Sequence, residues 1–172
     1  MRVTVATFNL RNSRGLDGRN IWWRRRRNAL RVIRTLGADV IALQEVRPRQ
    51  LSWLVRHLDG EFALPAVGRD DGRSRGEHMV VAVRRSFGSA SAVEPRWFTA
   101  TPSVPGRHPE ARFNRMALAV TVHRGAEAFT VVGTHLDERS VAARRDATAR
   151  LAEWYPGTAL LLGDFKIGRA HV

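Results

Sequence analysis

The sequence predicts a mixed α/β domain, in which sheets combine adjacent strand pairs with strand–helix alternation and carry helices on their outer side. Three observations support this. Short β-type apolar runs, among them "RVTVATFN", "DVIALQEV" and "TALLLGD", are separated by stretches with helical apolar spacing. Two other runs, "MALAVTV" and "AFTVVGTHL", follow one another across "HRGAE" and read as a β-hairpin. Because paired and helix-separated strands coexist, a pure βαβ repeat does not fit.

In chain order, the first strand ends in a polar residue, Asn9, before the Gly- and Asn-rich loop "NSRGLDGRN". Asn20 is expected to cap a helix that runs to about Leu36 and stops at Gly37. Trp22, Ala29, Ile33 and Leu36 would share its buried face, with Arg24, Arg27, Arg31 and Arg34 on a solvated outer face. "DVIALQEV" is continuously apolar, the pattern of a strand covered on both sides. Pro48 suits the first turn of a second helix, in which Leu51, Leu54 and Leu58 recur before Gly60. "HMVVAVRR" is a further strand, followed by the hairpin. Ser140 is expected to cap a third helix with Ala143, Ala147, Leu151 and Trp154 along one side. Pro156-Gly157 then turns the chain into the last buried strand. Residues 68–76 and 101–109 read as loops, the usual home of binding residues.

The 172 residues suffice for one domain with a real core, and no repeat or low-complexity linker divides them. No apolar run is long enough to span a membrane, and no apolar targeting segment opens the chain. A cytoplasmic monomer is the default expectation. The absence of cysteine excludes disulfides, thiolate nucleophiles and thiolate metal sites. Any metal must be held by oxygen or imidazole, which favours magnesium, manganese or calcium over zinc. The net charge of +13 suits a polyanionic partner, a nucleic acid or a phosphate ester. Nearly all of that charge is arginine, which a GC-rich gene would also produce.

The candidate site residues stand at strand ends. Asn9, Glu45, His135 with Asp137, and Asp164 each follow a separate apolar strand. Carboxylates are seldom buried unless they are paired or bound to a cation. Four such endings therefore suggest a site assembled across sheet edges. Chemically the set suits phosphate ester hydrolysis. An anionic phosphodiester repels hydroxide, so the catalyst needs a cation, donors around the phosphoryl oxygens and a base for water.

The ordered pieces "TFNLR", "ADVIALQEV", "THLD" and "LLLGDF" resemble the endonuclease/exonuclease/phosphatase superfamily of DNase I-like, metal-dependent phosphoesterases. A closer resemblance, to its small bacterial hydrolases, rests on "GRDDGRSRGEH", "WFTATPSVPG", "ARFNRMALAV", "THLDERSVAARRDA" and the pair Trp23 and Arg26. It implies a four-layer α/β/β/α sandwich of two mixed sheets with the site at one rim. It further implies Glu45 as the main magnesium ligand, manganese being an alternative, with Asn9 beside it holding metal or phosphate. His135 would hydrogen-bond the phosphate, and Asp164 would orient the attacking water. Arg112, at the head of a strand, would brace the site or contact substrate, as would Glu77 and Asp71. Asp137 would support the site from behind. The implied activity is hydrolysis of phosphodiester or phosphomonoester bonds. A basic nucleic-acid-binding domain of the same fold, without catalysis, is the alternative.

The resemblance breaks after "GDF". The family continues with asparagine where this chain has Lys166, its only lysine, and later supplies an Asp-His pair; here only His171 follows. The closing "IGRAHV" resembles the translation of a sequencing adapter. Residues 1–165 are therefore expected to form a partial domain lacking its C-terminal strands, and 166–172 a non-native tail. A chain so shortened is expected to be inactive.

Overall fold

The strands β1 (Val5–Asn9), β2 (Val40–Val46), β3 (Phe62–Ala63), β4 (Ala66–Gly68) and β5 (His78–Arg84) form one sheet of the computed structural model. The strands β6 (Ser89–Trp97), β7 (Met116–Arg124), β8 (Glu127–His135) and β9 (Leu160–Asp164) form the other. Three helices accompany them: α1 (Trp22–Thr35), α2 (Pro48–Leu58) and α3 (Val141–Trp154). The structure describes residues 2–13, 18–157 and 159–166.

Alternation along the central strands builds the layers. In β2, Ile41 and Leu43 enter a core with Leu30 and Ile33 of α1 and Leu54 and Leu58 of α2. Its intervening residues Val40 and Ala42 enter a second core shared with Leu118, Val120 and Val131 of the opposite sheet. On the far side of that sheet, Ala117, Ala119 and Val132 meet Ala147 and Leu151 of α3. The result is helix, sheet, sheet, helix, the four-layer arrangement expected above. Both faces of β2 and β5 are buried, which is why their sequences read as continuous rather than alternating. Each large apolar side chain so enclosed stabilises the fold by about 1.5–3 kcal/mol.

Parallel pairing sets the working rim. β1 runs parallel to β2, with Asn9 opposite Gln44, and β8 runs parallel to β9, with His135 opposite Asp164. Parallel neighbours end on the same side, so the polar residues that terminate these strands gather at one edge of the sandwich.

Several local expectations are corrected. The N-cap of α1 is Ile21, because Asn20 belongs to a preceding 3-10 turn, Gly18–Asn20. The buried face of α1 is rotated, with Leu30 enclosed and Leu36 39% exposed. Strand β6 was not foreseen. "SASAVEPRW" is a largely exposed edge strand whose Pro95 needs no inward partner, and its register slips between Ser91 and Val93. Ser140 does cap α3, accepting from the Ala143 N–H at 3.0 Å.

Gly163 delivers Asp164 to the rim only because it has no side chain. A Cβ there would stand 2.2 Å from the Thr134 carbonyl oxygen of β8. Gly163→Ala is expected to push β9 outward, costing about 1–3 kcal/mol of stability. Gly60→Ala, where a Cβ meets open space, serves as the neutral control. Urea denaturation of both variants checks this, and equal midpoints would contradict it.

Candidate active site

Glu45 reaches the site through an irregularity in β2. The pairing of β2 with β5 shifts register between Leu43 and Val46, and Glu45 adopts φ +59°. A non-glycine residue in this left-handed region is uncommon and costs on the order of 1–2 kcal/mol. Such bulges re-aim a side chain at an active site. The carboxylate is then held from two sides. The Asn9 amide donates to Oε1 at 2.8 Å, and the Asn12 backbone N–H donates to Oε2 at 3.0 Å. The same Asn9 nitrogen donates to Asp164 Oδ2 at 3.1 Å, so one amide spans a carboxylate from each sheet.

Charge is balanced locally. Lys166 Nζ lies 2.9 Å from Asp164 Oδ2. Burial pushes the Asp164 pKa up, but the hydrogen bonds from Lys166 and Asn9 outweigh it and hold the carboxyl below its usual range. Burial likewise raises Glu45, and the donors Asn9 and Asn12 more than reverse it. Both groups are ionised at neutral pH. His135 lies beside them, with Nε2 3.9 Å from Asp164 Oδ2, buried, and without a hydrogen-bond partner among the described residues. Burial and the neighbouring Arg115 cation push its pKa down to about 3, so the imidazole is neutral.

A cleft of about 390 Å³ opens beside this cluster, lined by Glu45, His135, Arg47, Arg69, Arg115 and Glu77 among others. Glu77 anchors its basic wall, accepting from Arg69 Nη1 at 2.6 Å and from Asn12 Nδ2 at 3.2 Å. Phe113 is flanked by the guanidinium groups of Arg69 at 4.5 Å and Arg112 at 4.8 Å. The Nε atoms of Arg47, Arg69 and Arg115 are buried with no hydrogen-bond partner among the described residues. Such unsatisfied donors are costly unless a ligand or water completes them.

The structure brings Asn9, Glu45, His135 and Asp164 together, with Glu77 behind them. Arg112 stands in the loop ahead of β7 with its guanidinium half-exposed; the residue at the strand head is Arg115. Arg115 is buried, with Nε 3.9 Å from Asp137 and its Nη2 on Glu138. Asp137 lies past the end of β8, where it accepts from the backbone N–H groups of Arg139, Ser140 and Arg112. It fixes the loop that carries Arg112 to the start of α3. Asp71 accepts from the Arg73 and Arg75 N–H groups and holds its own loop, outside the cleft lining. Sequence reasoning missed Asn12, Arg69 and Arg115. Only Arg115, immediately before an apolar strand, carried a signal comparable to those used for the acids. His171 lies outside the described residues.

Among the described residues, no three His, Asp or Glu side chains converge as a metal cluster. The carboxylate oxygens of Glu45 and Asp164 do converge, on the Asn9 amide nitrogen, while the Asn9 oxygen accepts from the Arg11 N–H at 2.8 Å; the two carboxylates suit a hard cation that retains several waters.

The Endonuclease/Exonuclease/phosphatase family model matches residues 6–165. The chain belongs to that family. A family protein of known structure from Bacteroides vulgatus is 27% identical with a TM-score of 0.90, over 98% of this chain and 67% of its own. A mannosyl-6-phosphatase of Bacteroides thetaiotaomicron is 26% identical with a TM-score of 0.87, over 99% of this chain and 67% of its own. A second Bacteroides thetaiotaomicron family protein is 27% identical with a TM-score of 0.87, over 98% of this chain and 65% of its own. The chain thus spans about two-thirds of the length of these family structures. D. rerio TDP2 complexed with single strand DNA product, 18% identical with a TM-score of 0.69 over 98% of this chain and 62% of its own, shares the fold. No curated protein matches the sequence. No helix among the described residues is long and apolar enough to cross a membrane.

The buried neutral histidine of this family member has a thermodynamic signature. In the unfolded chain it takes up a proton near its ordinary value of 6.5, whereas the fold resists protonation down to about 3. The unfolded state therefore binds more protons between these values. The contribution is fully present above pH 6.5 and is lost as the pH falls toward 3. Urea denaturation in EDTA between about pH 7 and pH 4 should show stability falling steeply with acid, and less steeply in His135→Gln. Equal slopes would contradict this.

Proposed function

We propose that this rim is the active site of a divalent-cation-dependent phosphoesterase, with magnesium the expected ion and manganese a substitute. The observation that carries the reading is the pair of ionised carboxylates, Glu45 and Asp164, tied through one Asn9 amide beside a wall of arginines with unsatisfied donors. Acids alone would suit a cation, and arginines alone an anion; their juxtaposition suits a cation together with a phosphate ester. Family membership and the similarity to a mannosyl-6-phosphatase support the same reaction class.

Glu45 and Asn9 would hold the ion, which when bound would neutralise phosphoryl oxygens and so ease attack on an anionic ester. The chain's own groups do the rest. His135 is neutral, so Nε2 can donate to a phosphoryl oxygen in its protonated tautomer without being consumed as a base. Asp164, kept ionised, can accept a hydrogen bond from the attacking water and orient it. Arg69 and Arg115, locked by Glu77 and Glu138, offer positive charge that needs no reorganisation when substrate arrives. Arg112, with its guanidinium half-exposed in the loop, is the arginine most available for contact with substrate.

One feature favours the reading without catalysis. The Lys166 ammonium already sits on Asp164, giving that carboxylate a tethered cation in place of a free one.

The protein, tested in the longest form its gene encodes, should hydrolyse bis(p-nitrophenyl) phosphate or p-nitrophenyl phosphate with magnesium, and lose activity in EDTA. Glu45→Gln and His135→Gln should each lower kcat by about 100-fold or more. Turnover that survives EDTA and Glu45→Gln would overturn the reading. In the 172-residue chain, Lys166→Asn should strengthen magnesium binding by about tenfold, measured calorimetrically, because it removes a competing cation. An unchanged affinity would show that Lys166 does not occupy the cation's place.

A further inference from the structure

Outside the reaction site, a groove of about 730 Å³ runs between the N-terminal halves of α1 and α2. Trp22 and Trp53 meet edge to face in it with ring centroids 5.6 Å apart. Trp53 is buried, but Trp23 on the same groove is 62% exposed, the most exposed of the large apolar side chains among the described residues. Three arginines share the lining. Arg26 lies over the Trp53 ring at 5.5 Å, and Arg49 and Arg56 come from the facing helix. None of the three forms an ion pair with a carboxylate among the described residues, and neither α1 nor α2 contains an Asp or Glu. Both first turns lack the acids that the positive end of a helix favours, so their potential adds to that of the arginines.

The groove continues into the reaction cleft. It shares Arg49 and Pro48 with an adjoining depression, which in turn shares Arg47, Arg69 and Phe113 with the cleft of Glu45 and His135. An exposed indole beside three unpaired cations, on a path leading to the reaction site, fits a chain of alternating flat rings and phosphates. We propose that this groove binds single-stranded nucleic acid, a base stacking on Trp23 while backbone phosphates lie against Arg26, Arg49 and Arg56. Stacking on an aromatic ring is open to any base, because every base has a π-face. A duplex is disfavoured, since its bases are already stacked on one another. A membrane surface is disfavoured because Trp23 lines a recess rather than an outward apolar ridge. That the bound strand feeds the reaction site rests on the phosphoesterase reading; the binding itself does not.

The test uses the 172-residue chain in EDTA, so turnover plays no part. A fluorescein-labelled oligothymidylate of roughly twelve nucleotides, and its oligouridylate counterpart, are titrated by anisotropy while tryptophan emission is followed. Binding should quench that emission and weaken with salt, with a slope corresponding to about three phosphate contacts. Trp23→Ala should weaken binding by about five- to hundredfold, and it should remove most of the quenching. Arg56→Glu should weaken binding and lower the salt slope by about one, whereas Arg145→Glu, exposed on α3, should leave both unchanged. Wild-type binding by Trp23→Ala and Arg56→Glu would overturn the proposal. So would equal weakening by Arg145→Glu, which would reduce the effect to net charge. Equally tight, equally Trp23-dependent binding of duplex DNA, polyglutamate or anionic lipid vesicles would also overturn it.

Discussion

A single side-chain amide ties the two sheets of this molecule together at one rim. The Asn9 nitrogen, at the end of the first strand, donates to Glu45 within its own sheet and to Asp164 on the last strand of the other. That meeting is the constraint that three features of the backbone serve. Parallel pairing brings the four strand ends to one edge, the bulge at Glu45 turns a carboxylate inward, and Gly163 lets the last strand lie close enough to contribute its acid. Two ionised carboxylates sharing one donor form an arrangement that a cation relieves, because like charges in a partly buried setting disfavour one another. Lys166 supplies such a charge from within the chain.

The wall opposite the acids is organised on a different principle. Its arginines are fixed by Glu77, Glu138 and the face of Phe113, yet Nε atoms of Arg47, Arg69 and Arg115 have no hydrogen-bond partner among the described residues. Locking a guanidinium while leaving a donor unsatisfied sacrifices some stability to a surface ready for an anion. The acidic rim and the basic wall thus offer opposite charge on two sides of one cleft, the juxtaposition on which the proposed phosphoesterase reading rests.

The layer architecture was legible in the sequence because burial on both faces leaves an unmistakable trace, the continuous apolar runs of β2, β5 and β7. The gathering of Asn9, Glu45, His135 and Asp164 at one edge was legible too, from the order in which polar residues close separate apolar runs. Less legible was whatever depends on distant partners. Arg69 and Asn12 stand in loops without periodicity, and their roles arise only when Glu77 and Glu45 are folded against them. In sequence, Asp137 was expected to support the site from behind and Asp71 to brace it or contact substrate. Backbone N–H groups instead engage both carboxylates, at both oxygens of Asp137 and at Oδ1 of Asp71, a fate that the sequence pattern does not encode. Strand β6 escaped for the opposite reason, an exposed edge that needs no apolar alternation.

The central claim is that Glu45 and its Asn9 partner are built to hold a divalent cation. It is tested most directly by titrating manganese into the protein and following the free-ion signal by electron paramagnetic resonance, alongside Asn9→Ala and Glu45→Gln. The account predicts a saturable site in the wild-type protein, weakened about tenfold or more by either change. Equal manganese binding by all three proteins would contradict it.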